Sequence, residues 1–210
     1  MIGVNKMMNF GLEKEMFVTD SLGKLVLPCL GLPTDHNPIL AEARGDPANN
    51  IIDAVFLLEA QVYRMHKIAE RAKQKLSDEP ISKINNNLRD KIHRDSRLRK
   101  AADVSENLYG HMRHKNKDNE VTAGVHLSVT NKRTYVINAK ENQLGTFNAP
   151  WDFAKFVLFM DTLFAVEILK AKRNPGFYEI KPDGRIEYRS LPANVNLYKV
   201  IDAVECFDFR

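Results

Sequence analysis

The segment Gly11-Leu12-Glu13-Lys14-Glu15-Met16-Phe17 decides the fold, because its polarity alternates. Successive side chains of a strand face opposite ways, so Leu12 and Met16 share one side of an extended chain and Glu13 and Glu15 the other. A strand with an apolar back and two carboxylates in front belongs to a sheet whose one face packs on a core. Carboxylates about 6–7 Å apart on one face repel by roughly 2–3 kcal/mol at an effective dielectric near 20. Solvent relieves that repulsion on an exposed edge strand; elsewhere a raised pKa or a divalent cation must do so. Carboxylate oxygens are hard ligands, which suits Mg²⁺ or Mn²⁺.

Three more polar pairs stand two residues apart on expected strands: Glu42 with Arg44, His126 with Ser128, and Glu187 with Arg189. Apolar residues fill the alternate positions: Val125, Leu127 and Val129 around His126, Ile186 and Tyr188 around Glu187, and, less cleanly, Leu40 and Ala43 around Glu42. Each pair alone suits a solvated strand edge or a hydrogen-bonded core histidine. Their joint occurrence on separate strands is what points to one polar face and to a site on it.

The remaining chain supplies strands and helices in alternation. Residues 8–29 read as a β-hairpin around the turn DSLG, and ILAEARGDP as a short strand ending at Gly45-Asp46-Pro47. Apolar residues at Ile52, Val55, Phe56, Leu58, Val62 and Ile68 give a helical period from about Asn50 to Leu76, capped by Asn49 or Asn50 and broken by Pro80. A polar helical stretch follows from Ile81 to Met112, then a charged loop RHKNKDNE in which His111 and His114 are nearby surface residues. AGVHLSVT is a strand expected to pair with TYVINA across NKR. Asn148 and Pro150 open an apolar helix running to about Lys172, and FYEIKPDGRIEYRSL closes as a hairpin around Pro-Asp-Gly. The order predicts an α+β fold: a mainly antiparallel sheet with helices packed on one face.

The chain has 210 residues, the size of a single domain, and a net charge of +4. From Arg64 to Lys115 there are 14 Lys or Arg against 7 Asp or Glu, so a basic helical insertion at about 64–118 interrupts a more acidic body. Such a flank suits an anionic partner, nucleic acid included, or plain solvation. Cys29 and Cys206 lack partners at metal spacing, which leaves structural zinc and a disulfide framework unsupported. The first ten residues lack the pattern of a secretory signal. The longest apolar run is interrupted by Lys155, Asp161 and Glu167, so no membrane span is expected. The expected location is the cytoplasm, or the host cytoplasm if a phage encodes the chain.

The segments FGLEKEMFV, DHNPILAEARGDP, AGVHLSV and RIEYRSLP, in this order, resemble the glutamine synthetase and glutamate–cysteine ligase superfamily of carboxylate–amine ligases, above all the compact amidoligases of phages and bacterial gene clusters. The resemblance implies a single glutamine synthetase-like catalytic domain over 1–210 whose concave sheet holds two or three Mg²⁺ or Mn²⁺ ions between ATP and a carboxylate. It implies Glu13, Glu15, Glu42, His126 and Glu187 as metal ligands. It implies Arg189 at the transferring phosphate and Arg44 as a substrate or phosphate contact. Ser128 stands where many glutamine synthetases carry a second histidine, and it joins Arg189 and Arg44 in the nucleotide-facing set. The activity implied is phosphorylation of a carboxylate by ATP to an acyl phosphate, then displacement of phosphate by an amine, on an amino-acid, peptide or protein substrate. The alternative is an idle scaffold of the same fold that binds nucleic acid or another anionic partner through its basic helices. A guanidino-kinase-like phosphotransferase would need a reactive cysteine, and neither Cys29 nor Cys206 adjoins a motif.

Overall fold

The computed structural model describes residues 8–35, 37–100, 120–131, 143–144, 151–181 and 185–207. Its centre is a seven-stranded antiparallel sheet. The strands are β1 (Met8–Thr19), β2 (Leu40–Arg44), β3 (Lys75–Ser77), β6 (Gly124–Asn131), β7 (Gln143–Leu144), β8 (Tyr178–Ile180) and β9 (Ile186–Pro192). They lie in the order β2-β1-β6-β9-β8-β7, with β3 paired to the end of β1. A separate ribbon joins β4 (Ile81–Lys83) to β5 (Glu120–Thr122).

The alternation read from the sequence is realised on one side of this sheet. Phe10, Leu12, Met16 and Val18 of β1, Ala41 and Ala43 of β2, Val125, Leu127 and Val129 of β6, and Ile186 and Tyr188 of β9 all enter one buried cluster. Against them pack α1 (Ile51–Arg71), α3 (Trp151–Leu163), α4 (Ala165–Lys170) and α5 (Leu197–Cys206), through residues such as Ala54, Leu58, Met65, Phe156, Met160, Ile168, Val200 and Val204. Among the described residues no helix is long and apolar enough to cross a membrane.

The opposite face is not left wholly to solvent, and here the expectation of helices on one face is corrected. Phe17 and Leu40 are direct cross-strand partners and share the face of Glu15 and Glu42. With Ile39, Val121 and Ala193 they form a second core, covered by Leu88 and Ile92 of α2 (Asn86–Arg94). The basic helix is thus amphipathic. It turns Leu88 and Ile92 inward and leaves Arg89, Lys91 and Arg94 exposed. Leu40, assigned to the apolar back in the reading above, lies in front.

Other differences have local causes. The turn after β1 forms as expected, with Asp20 Oδ1 accepting from Leu22 N–H and Lys24 N–H, each at 2.9 Å. The return strand, however, shrinks to one bridge between Thr19 and Leu25, because β2 takes the same edge of β1 from Phe17 onward. Helix α1 starts where Asn50 caps it, accepting from Asp53 N–H at 2.8 Å. It stops well before Pro80: Lys73 is left-handed (φ 57°), so Gln74 N–H reaches Ala69 O and Lys73 N–H reaches Glu70 O. The apolar helix expected to reach Lys172 is two helices, with Phe164 between them at φ −110° and ψ 16°. Strand β6 has β1 and β9 at its two edges. The proposed partner TYVINA (134–139), the loop 113–119, the helix opening at Asn148 and Pro150, and the turn at Pro182-Asp183-Gly184 lie outside the described residues.

Gly45 ends β2 where α1 crosses it. A Cβ there would stand 2.9 Å from Leu58 N and 3.1 Å from Leu58 Cα, both rigid backbone. Gly45→Ala should push α1 off β2 and lower stability by about 1–3 kcal/mol, read as a lower urea midpoint. An unchanged midpoint would contradict the close approach.

Candidate functional site

The register brings all four polar pairs to one face. Glu13 lies opposite Arg44 on one side and His126 on the other, Glu15 opposite Glu42, and Ser128 opposite Glu187. Cross-strand partners point the same way, so Glu13, Glu15, Glu42, Arg44, His126, Ser128, Glu187 and Arg189 form one polar surface. Most of it is buried: Glu15, Glu42, His126, Ser128, Glu187 and Arg189 all belong to the interior.

His126 is the centre. Its side chain is 1% exposed, and among the described residues neither ring nitrogen has a hydrogen-bond partner. Nδ1 lies 3.7 Å from Glu13 Oε2 and 3.8 Å from Glu187 Oε1, while Nε2 lies 3.7 Å from Glu15 Oε1. A β-bulge sets this position. Val125 pairs with Leu191 but Leu127 with Tyr188, so Arg189 and Ser190 together oppose His126. Burial, then the Arg189 charge, holds the imidazole pKa well below its ordinary value, so the ring is neutral and its nitrogen can ligate.

The carboxylates differ in how their charge is met. Burial alone would raise Glu187; the Arg189 charge first, then that of Lys181, outweighs it and holds the group below the usual carboxylate range. Arg189 Nη1 pairs with Glu187 and also lies 3.1 Å from Glu179 Oε2. Lys181 Nζ bridges Glu179 at 2.8 Å and Glu187 at 3.4 Å. Glu15 Oε2 accepts from Gly124 N–H at 2.8 Å and has Arg173 at 3.9 Å. Glu42 accepts from Arg44 Nε at 2.7 Å, yet burial, then Glu13 and Asp35, pushes its pKa up to about 8. Ser128 Oγ donates to Glu187 Oε2 at 3.3 Å.

The environments of the two arginines bear on the roles expected for them. Arg189 is 6% exposed and committed to Glu187 and Glu179. It does not present a bare guanidinium to an incoming phosphate. Arg44, 62% exposed and anchored on Glu42, is the cation that reaches solvent.

Sequence reasoning missed Glu179, Lys181 and Arg173. The first two were legible: Glu179 on β8 and Lys181 just past its end repeat the same polar spacing, and Glu179 lies opposite Glu187. Arg173 carried no signal. It follows α4, donates to Arg189 O at 2.6 Å, and lies so close to Gly124 that a Cβ there would stand 2.3 Å from its Cζ. Strand β9 is held from behind by Tyr188, whose hydroxyl donates to Asp161 of α3. Asp161, which interrupts an apolar run in sequence, is therefore a clamp. Burial raises its pKa even though Tyr188 and Gly176 N–H both donate to it.

Chemically the face offers three donors within 4.8 Å of one another, from Glu13, His126 and Glu187. Two carboxylates and a neutral imidazole could hold a divalent cation. No protein-family model and no curated protein matches the chain by sequence.

The Glu42 shift sets a pH dependence. Unfolded, Glu42 loses its proton in the ordinary carboxylate range; folded, it does so near pH 8. The native state thus holds an extra proton between those values, and the stabilisation present at acid pH fades as pH rises through that window. His126, with a lowered pKa, acts in the opposite sense below its ordinary value. Urea unfolding from pH 5 to pH 8 of wild type and Glu42→Gln isolates the first effect. The variant should lose a decline on the order of a few kcal/mol, and parallel pH profiles would contradict the Glu42 assignment.

Proposed function

We propose that this chain is an ATP-dependent carboxylate–amine ligase whose catalytic face carries a divalent cation. The observation that supports it is the buried His126, with Glu13 and Glu187 oxygens within 4 Å of Nδ1 and with neither nitrogen hydrogen-bonded among the described residues. Buried polar atoms are otherwise nearly always satisfied. A buried neutral imidazole flanked by carboxylates is a donor set that a divalent cation would take.

On this reading Glu13, His126 and Glu187 would hold the ion, which would supply charge neutralisation at the ATP phosphates. Arg44, exposed at the rim, meets a phosphate or the substrate carboxylate. Arg189 acts one step back, fixing Glu187 in its ionised form. A substrate carboxylate oxygen attacks the terminal phosphorus, ADP leaves, and an acyl phosphate forms. The amine then attacks the acyl carbon; the C–N bond forms, the C–O bond to phosphate breaks, and the amine proton passes to a carboxylate or to solvent. The helix layer behind the sheet keeps these groups in place, which is most of what phosphoryl transfer requires of a protein. The ordered motifs of the ligase superfamily support the same class, and the substrate pair is a carboxylate with an amine, on amino acids, peptides or proteins.

Calorimetry with ATP and Mg²⁺ tests the reading. Glu13→Ala and Glu187→Gln should each abolish Mg²⁺-dependent ATP binding while the circular dichroism stays native. Arg44→Ala should weaken ATP binding about 10- to 100-fold and leave cation binding intact. Unchanged ATP affinity in the first two variants would overturn the reading.

A further inference from the structure

The resemblance implies two or three ions, and the polar face has a place for one of them. We propose that the centre binds a single divalent cation, at Glu13, His126 Nδ1 and Glu187, and that protein groups already fill the flanking positions. This rests on the ligase reading only in requiring that a cation binds.

Only one set of donors converges. Among the described residues, Glu13, His126 and Glu187 are the one group of carboxylate and imidazole donors lying together within 4.8 Å. Glu15 stands beyond it, on the other side of the ring, facing Nε2 at 3.7 Å. Its second oxygen is taken by Gly124 N–H, with Arg173 beside it. When Nδ1 ligates, Nε2 carries the ring proton, and Glu15 Oε1, 3.7 Å away, is the acceptor that would close on that proton and fix the tautomer and the ring plane. Glu15 is therefore a positioning residue and not a ligand.

The other flank is closed by an ammonium. Glu179 and Glu187 are cross-strand partners whose paired carboxylates would themselves suit an ion. Lys181 Nζ sits between them at 2.8 and 3.4 Å, and Arg189 Nη1 meets both from the second side. A divalent ion at that point would press on two fixed cations. Glu42, held by Arg44, offers no third position.

Counting bound Mn²⁺ on the full chain without nucleotide, by calorimetry and by the loss of the free-ion paramagnetic resonance signal, decides the matter. Wild type should take up one equivalent. Glu13→Ala and His126→Ala should take up none. Glu15→Gln should keep the full equivalent with affinity reduced about 10- to 100-fold, the cost expected for an outer partner of a ligating histidine. Lys181→Gln should gain a second equivalent. Two or more ions on wild type, with one lost in Glu15→Gln, would overturn the single-ion centre while leaving the ligase reading standing. No uptake by wild type would overturn both. The wild-type count needs no variant to fold.

Discussion

One constraint organises this molecule: five carboxylates share a sheet face that also buries an imidazole. Unpaired charges there would be expelled by desolvation, and unpaired nitrogens would cost a hydrogen bond each. The protein meets the problem group by group. Arg44 answers Glu42, Arg189 and Lys181 answer Glu179 and Glu187, and Gly124 N–H with Arg173 answers Glu15. Arg44 Nε also lies 3.6 Å from Glu13 Oε1, and what is left is His126, whose nitrogens face carboxylates across gaps too wide for hydrogen bonds. The donors that meet around this ring form the proposed centre.

The rest of the fold fixes the geometry of that face. Phe156 of α3 meets Tyr188 edge-on at 6.3 Å and Phe207 at 5.2 Å, so the strand bearing Glu187 and Arg189 is backed by a packed aromatic layer. The Tyr188 hydroxyl on Asp161 adds a directional bond to that packing. At the far end α2 covers Phe17 and Leu40, which separates the polar surface from the open edge of the sheet. The proposed phosphoryl transfer would ask for donors held in place more than for reactive side chains, and a sheet pinned on its back would meet that demand.

The strands that carry the site were legible because alternation at period two is a local signal. Glu13, Glu15, His126 and Glu187 could be placed on one face from spacing alone. Three things were not local. The bulge on β9 breaks the alternation after Tyr188, so that Leu191 and not Ser190 enters the apolar cluster, and only the pairing of Val125 with Leu191 reveals it. Arg173 reaches the site from a helix end through a gap that Gly124 leaves open. The side of the sheet on which α2 packs depends on Phe17 and Leu40, whose place in a second core no single segment announces. Helix α5 did have signals, an Asn196 cap on Tyr198 N–H at 2.9 Å and apolar residues at Val200, Ile201 and Val204, but they follow a Pro-Ala-Asn stretch that reads as a loop. The ends of α1 and α4 at left-handed lysines, Lys73 and Lys172, were hidden because glycine is the usual marker.

The central claim is that a cation on this face is held by His126. Electron spin echo spectroscopy of Mn²⁺ bound to the full chain reads it directly. The account requires nitrogen-14 modulation from one imidazole, abolished in His126→Ala while the variant remains folded. Bound Mn²⁺ with no nitrogen coupling, or coupling that survives the loss of His126, would contradict it.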